Sequence, residues 1–250
     1  MVWFVGAGPG AKDLITVRGD RLLREADVII YAGSLVNPEV LEVKKDSCEV
    51  YNSALMTLEE VILVMETAHK DRKQIVRLHT GDPCLYGAIQ EQMDALRERG
   101  IAYEICPGVS SFCGAAAALK SEYTLPDVSQ SVVITRMEGR TAVPEKESIQ
   151  SFAAHQATMV IFLSTGLLDK LQEQLIAGGY AKETPAAIVY KATWADEKVM
   201  HCRVETLAET ARENGITKTA LIVVGHVLDS AYLRSKLYDP SFTTEYRKGQ

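Results

Sequence analysis

Three glycine-bearing stretches, each directly behind an apolar β-branched run, are where this chain has the residue types for ligand chemistry. The first is Gly6-Ala7-Gly8-Pro9-Gly10-Ala11, following Val2–Val5. Glycine lets a backbone adopt positive φ and approach a ligand closely, and the G-x-G-x-x-A spacing loosely matches a dinucleotide-binding loop. Two features oppose that chemistry. The second β run, Val28–Tyr31, leads into Ala32-Gly33-Ser34, where a ribose-binding acid is required, and Pro9 removes an N–H from the loop that would cradle a pyrophosphate. A tight strand-to-helix turn without a ligand is the competing account. The second stretch, His79-Thr80-Gly81-Asp82-Pro83-Cys84-Leu85-Tyr86-Gly87, offers a carboxylate suited to a cationic group. Equally, Asp82 could cap a helix with Pro83 in its first turn. Strand alternation places Arg77 and His79 on one face, and His79 reads as packed or hydrogen-bonded rather than as a base. The third stretch is Pro107-Gly108-Val109-Ser110-Ser111. Open α/β sheets bind ligands at the carboxyl ends of their strands, so three such loops point to one rim and one shared ligand.

The elements that must carry these loops follow from periodicity. Val2–Val5, Val28–Tyr31, Gln74–His79 and Tyr103–Cys106 read as strands. Leu58–Ala68 and Tyr86–Arg99 read as amphipathic helices, with apolar residues at i, i+3, i+4 and i+7 in the first. Alternation of this kind predicts a parallel, helix-flanked sheet. Past a polar, linker-like stretch at Glu122–Asp127 come strands at Ser131–Thr135, Thr158–Leu163, Ala186–Tyr190, Val199–Val204 and Ala220–Val224. The short Lys191–Lys198 connection makes the third and fourth of these a hairpin, so the second sheet is mixed. The expectation is an α/β protein of two α/β domains, residues 1–120 and 121–250, mainly parallel in the first and mixed in the second. The tail beyond Asp229 carries Tyr232, Tyr238, Phe242 and Tyr246 and has the composition to pack on the body or a partner.

Composition excludes several function classes. With 250 residues, 47% hydrophobic and 24% charged, the chain is neither disordered nor a coiled coil. Its 27 basic against 33 acidic residues, net −6, disfavour nucleic acid as the main partner. The five cysteines and five histidines form no metal-ligand spacing, so no metal site is expected and the thiols read as reduced. No apolar run is long enough to span a membrane and no leader-like segment opens the chain, which leads to the expectation of a soluble cytoplasmic protein.

GAGPG at 6–10, HTGDPCLYG at 79–87 and PGVSS at 107–111, in that order, resemble the tetrapyrrole methyltransferase family. YAGSLVNPE at 31–39, SQSVVITRMEGRT at 129–141, YKATWADE at 190–197, KTALIVVG at 218–225 and EYRK at 245–248 are similar to its branch acting at C11 of precorrin-4, above all the early-cobalt form of that pathway. The resemblance implies a cleft between two α/β domains, S-adenosylmethionine held folded there, S-adenosylhomocysteine as product, and a homodimer. It carries cofactor contacts onto Pro9, Thr80, Gly81, Asp82, Leu85, Ser110, Ser111, Leu163, Ser164 and Ala192. Two positions depart from the common pattern: Thr80-Gly81 replaces two glycines, and Ala192 replaces one. The implied reaction is methylation of cobalt-precorrin-4 to cobalt-precorrin-5A, with metal-free precorrin-4 or uroporphyrinogen III as alternative acceptors.

Methyl transfer from a sulfonium is an in-line displacement with an activated donor. Alignment alone can supply about 7–11 kcal/mol, and a conjugated pyrrolic carbon is already nucleophilic, so no catalytic base is assigned. The acceptor's carboxylates call for cations, first Arg136 and Arg140, then Lys191 and Arg18. Trp194 and Met137 could face a macrocycle, with core packing the plainer reading. A nicotinamide oxidoreductase and a non-catalytic nucleotide-binding module are the competing classes.

Overall fold

Residues 1–229 and 231–249 are described by the computed structural model. Five runs of the first half become strands: β1 (Val2–Gly6), β2 (Val28–Tyr31), β3 (Glu49–Asn52), β4 (Ile75–His79) and β5 (Tyr103–Cys106). They form one sheet ordered β3-β2-β4-β1-β5, with every neighbouring pair parallel. The connections include α1 (Val17–Glu25), α2 (Leu58–Lys70) and α3 (Gln90–Glu98), and α4 (Ser111–Leu119) follows β5. Period-2 alternation divides the strand side chains between two faces. Val2, Phe4, Ile30 and Ile75 pack with Val61, Ile62 and Met65 of α2 and Leu96 of α3. Val5, Ile29, Val76 and Leu78 pack on the other face with Leu22 and Leu23 of α1. Helix starts are marked in the sequence: Thr57 and Glu60 form a reciprocal capping box at α2, and the Thr16 hydroxyl accepts from the Gly19 N–H at α1.

The structure departs from the periodicity reading at two places. β3 lacks a clear apolar signature because it is an edge strand bonded only to β2, with Glu49 and Val50 exposed. Helix α3 begins at Gln90 rather than Tyr86. Tyr86 and Ala88 have φ of 56° and 48°, which no right-handed helix accommodates. Asp82 therefore caps no helix.

The second half builds β6 (Val132–Arg136), β7 (Thr158–Phe162), β8 (Pro185–Tyr190), β9 (Lys198–Arg203) and β10 (Ala220–Val224), with α5 (Ile149–Ala153), α6 (Leu168–Ala177) and α7 (Leu207–Glu213). The sheet order is β6-β7-β10-β8-β9; β6 and β7 are parallel and the other pairs antiparallel, so the sheet is mixed. Met137, Ile161, Leu171, Ile188, Leu207 and Ile222 belong to its single core cluster. The Glu122–Asp127 stretch is no free linker: Tyr123 is buried and its carbonyl accepts from the Thr158 hydroxyl at 2.9 Å. In the tail, the Arg247 guanidinium donates to the carbonyls of Leu237, Asp239 and Phe242 while Tyr232, Tyr238 and Tyr246 stay exposed. Among the described residues no helix is long and apolar enough to cross a membrane.

The chain divides into two compact units. The first holds Met1–Ala115 together with Lys191–Glu197, the connection between β8 and β9. The second holds Ala116–Tyr190 and the chain from Lys198 onward.

In the first unit, a Cβ at Gly108 would collide with the Gly81 carbonyl oxygen and lie 2.7 Å from Gly6 Cα. Both neighbours are backbone and cannot rotate away. Gly108→Ala is expected to lower stability by about 1–3 kcal/mol, the usual overpacking cost. Gly166→Ala, with nothing within 4 Å of its added Cβ, serves as the near-neutral control. Urea denaturation midpoints of the two variants measure the contrast.

Candidate active site

The motif-bearing loops leave β1, β4 and β5, which are adjacent and parallel in the sheet. Gly6 pairs in register with His79, and Val5 with Cys106, so the strands end at the same level and the loops share one rim. Backbone bonds stitch the first two together. Ala7 N–H donates to the His79 carbonyl at 2.7 Å, Gly81 N–H to Gly8 at 2.9 Å, and Gly8 N–H to Gly81 at 3.3 Å. Gly8 and Gly81 have φ of 83° and 59°, a conformation their partners' approach requires and that glycine adopts without strain.

Asp82 joins the second loop to the third. One carboxylate oxygen accepts from Cys84 N–H, closing a local turn, and the other accepts from Gly108 N–H, each at 2.8 Å. Burial works to raise this carboxyl, but the hydrogen bonds from Cys84 and Gly108 outweigh it and hold it below its ordinary value of 3.8. The aspartate is thus ionised at neutral pH with two acceptor directions used inside the rim.

A fourth segment, residues 191–197, completes the arrangement. Thr193 Oγ1 accepts from Ala11 N–H at 3.0 Å, Trp194 lies against Gly10, and an added Cβ at Gly114 would meet Pro9 and Thr193. Thr193 has φ of 67°, an outlier for a β-branched residue, and its own N–H is held by Glu197 Oε2 at 2.6 Å. Sequence reading missed Thr193 and Glu197. Ala11 and Thr193 are 182 residues apart, and nothing local in either stretch announces the bond.

The structure therefore brings Pro9, Thr80, Gly81, Asp82, Ser110, Ser111 and Ala192 into the first unit's rim, with Leu85 on the turn beyond Asp82. Pro9, Gly81, Ser110 and Ala192 are buried there. Leu163 and Ser164 lie in the second unit. Leu163 is 61% exposed at φ 52°, whereas Ser164 is fully buried. The Ser164 hydroxyl donates to Phe162 O at 2.6 Å and accepts from Met137 N–H at 2.8 Å, so it ties β6 to β7 internally.

The marked cations divide. Arg136 spends its guanidinium on the carbonyls of Met137, Thr141 and Ala142 at 2.9–3.1 Å, shaping its own loop. Lys191 pairs with Asp196 at 2.6 Å and sits 5.0 Å over the Trp194 ring. Arg140 and Arg18 are exposed and bond to nothing among the described residues. Met137 is a core residue. His79 is 4% exposed, its ring centroid 6.1 Å from that of Phe4. Burial and the nearby Arg77 charge push it down to about 3, so it is neutral and takes up no second proton at physiological pH.

Glycine-bearing loops meeting at the carboxyl ends of three parallel strands are the layout by which open α/β enzymes bind small molecules. The sequence matches the tetrapyrrole (corrin/porphyrin) methylases over residues 1–208. The chain belongs to that family. It is 56% identical to the cobalt-precorrin-4 C(11)-methyltransferase of Methanocaldococcus jannaschii over 248 residues, 99% of this chain and 96% of that one. The crystal structure of a cobalamin biosynthetic cobalt precorrin-4 methyltransferase superposes with a TM-score of 0.89 at 46% identity, covering 92% of this chain and 96% of the other. The uroporphyrin-III C-methyltransferase of Thermus thermophilus, complexed with S-adenosylhomocysteine, superposes at 0.75 with 26% identity, covering 91% and 93%.

Two outcomes test the electrostatics. Asp82→Ala leaves Gly108 N–H without its acceptor, and a loss of roughly 1–3 kcal/mol is expected in urea denaturation at pH 7. Because the folded carboxyl lies below 3.8, its stabilisation is present above that value and fades as pH falls through the folded pKa. The wild-type-to-variant gap should therefore narrow in acid. His79 behaves differently. Unfolded, it takes up a proton near 6.5; folded, only near 3, so acidification between those values favours unfolding. His79→Phe should flatten the fall in denaturation midpoint across that window.

Proposed function

We propose that the chain is an S-adenosylmethionine-dependent methyltransferase that methylates C11 of cobalt-precorrin-4 to give cobalt-precorrin-5A. The observation that carries this reading is the 56% identity, over nearly the full length of both chains, to a cobalt-precorrin-4 C(11)-methyltransferase. The same methylation of metal-free precorrin-4 is the alternative.

The rim suits the methyl donor. A Cβ at Gly6 would lie 2.5 Å from Gly81 O and 2.6 Å from Gly108 Cα, so only glycine fits at the end of β1, where the loops meet. Within the first unit, Pro9, Thr80, Gly81, Asp82, Leu85, Ser110, Ser111 and Ala192 would hold the donor; Leu163 and Ser164 of the second unit stay candidates on the family resemblance alone. When bound, S-adenosylmethionine supplies an activated methyl on a sulfonium. This chain's residues orient donor and acceptor and exclude water. His79, neutral and buried, takes up no proton near neutral pH. Arg140 and Arg18, the uncommitted cations of the four, are the ones to meet acceptor carboxylates, while Arg136 and Lys191 are each spent within their own loops. A homodimer and a cytoplasmic location complete the proposal.

Calorimetry with S-adenosylhomocysteine, followed by single-turnover methylation of cobalt-loaded and metal-free precorrin-4, tests it. Binding of the homocysteine product and faster turnover of the cobalt form are expected; turnover of uroporphyrinogen III alone would replace the substrate. Arg140→Ala should lower kcat/KM for the tetrapyrrole by about ten-fold, as one charge-assisted hydrogen bond contributes roughly 1.5–3 kcal/mol before solvent screening. Homocysteine-product affinity should stay unchanged. Arg136→Ala should instead lower thermal stability.

A further inference from the structure

Beneath the second loop lies a buried polar chain that the methyltransfer reading does not use. Arg77, on the central strand β4, is 6% exposed and has no carboxylate partner among the described residues. Its Nε donates to Gln92 Oε1 at 2.9 Å, and its Nη1 donates to the Ile30 carbonyl at 3.2 Å, with a longer contact to Leu78 O at 3.5 Å. Gln92, on the first turn of α3, is 5% exposed, and its Nε2 donates to the Ala88 carbonyl at 2.9 Å. The amide's orientation is fixed by chemistry: a guanidinium only donates, so Oε1 must face Arg77 and the NH2 must face Ala88.

A buried cation without a counter-charge is costly, and an apolar side chain of similar volume often packs there with no loss of stability. Even lowered by burial to about 10, Arg77 remains charged at neutral pH. Its visible output is conformational. The chain runs from the β2 backbone through Arg77 and Gln92 to Ala88, a residue held at φ 48° two positions after Tyr86 at φ 56°. Both conformations are unfavourable for residues with a Cβ and persist only where the surroundings impose them. At the other end of the same turn, Asp82 is tied to Gly108 N–H. Between the two anchors, Pro83 O occupies the space a side chain at Gly87 would need. The turn carrying Leu85 is therefore stretched between a carboxylate tie and an amide tie, and only the second depends on a buried cation.

We propose that Arg77 and Gln92 are positioning residues: through the Ala88 carbonyl they lock the Pro83–Ala88 turn in the shape that receives the methyl donor, and neither touches donor or acceptor. The proposal rests on the methyltransferase reading for the identity of that ligand. It makes the order of the turn, and hence donor affinity, depend on one amide proton at Gln92 Nε2.

Gln92→Glu isolates that proton. The variant is isosteric and keeps an acceptor for Arg77, whose charge keeps the carboxylate ionised, but it cannot donate to Ala88. Thermal unfolding should stay at or above the wild-type temperature. Amide exchange across residues 84–89 should accelerate, S-adenosylhomocysteine affinity should fall about ten-fold, the scale of one buried hydrogen bond, and KM for the methyl donor should rise more than kcat falls. Arg77→Lys should not restore a normal turn, since an ammonium lacks the fork that reaches Ile30 and Gln92 together. If Gln92→Glu fails to fold, Arg77→Met/Gln92→Leu takes its place, with recovered stability and the same loosened turn expected. Wild-type exchange at 84–89 and unchanged product affinity in the folded variant would overturn the proposal. A wild-type chain that binds no S-adenosylhomocysteine would instead overturn the methyltransferase reading, and the exchange comparison without ligand would still decide whether Gln92 locks the turn.

Discussion

The hydrogen bond from Gly108 N–H to Asp82 spans the end of a strand that neither residue belongs to. Strands β4 and β5 are not neighbours; β1 lies between them. For loops from the outer two to meet, the residue ending β1 must leave their backbones room, and Gly6 does so, with Gly81 O and Gly108 Cα where its side chain would be. The Asp82 carboxylate then supplies a charge-assisted acceptor that closes the bridge. The floor of the rim, the turn through Cys84 and the start of the loop into α4 all hang on this one crossing. It also explains the glycines at 6 and 108: where three backbones converge this closely, a Cβ would collide.

A second constraint is electrostatic. The chain carries a net charge of −6, yet it buries an unpaired arginine under the rim. Burial, reinforced by that cation, keeps the adjacent His79 neutral, so its imidazole does not take up a proton near neutral pH. Such a site suits a reaction whose donor arrives activated and whose barrier is lowered by alignment rather than by proton transfer. Other charges are spent on shape. Arg136 and Arg247 each bind several carbonyls of their own loops, and Lys191 is paired within its own turn.

Much of the fold was legible because local pattern and tertiary outcome agree. Strands β1, β2, β4 and β5 lie where the β-branched runs predict, and the mixed second sheet follows from a connection too short for a helix. The failures have physical causes. The edge strand β3 faces solvent and needs no apolar alternation. The segment after Asp82 has helical periodicity but is kept out of the helix by left-handed residues at 86 and 88, beside a carbonyl bonded by a buried amide on α3. Arg136, in a motif that invites an anion-binding reading, turns its fork onto backbone carbonyls that no spacing rule reveals.

By itself, the sequence determined what depends on neighbours along the chain: the strands other than β3, and that three glycine-bearing loops end parallel strands. Tertiary structure alone decided which groups those loops spend on each other. Asp82 could equally have capped a helix or met a ligand, and Ala11 could have donated to water rather than to Thr193. Choices of that kind turn on backbone donors and acceptors, which every residue carries alike. Side-chain identity therefore cannot announce them, and only the packing of strands β4, β1 and β5 into one level rim brings the right pairs within reach.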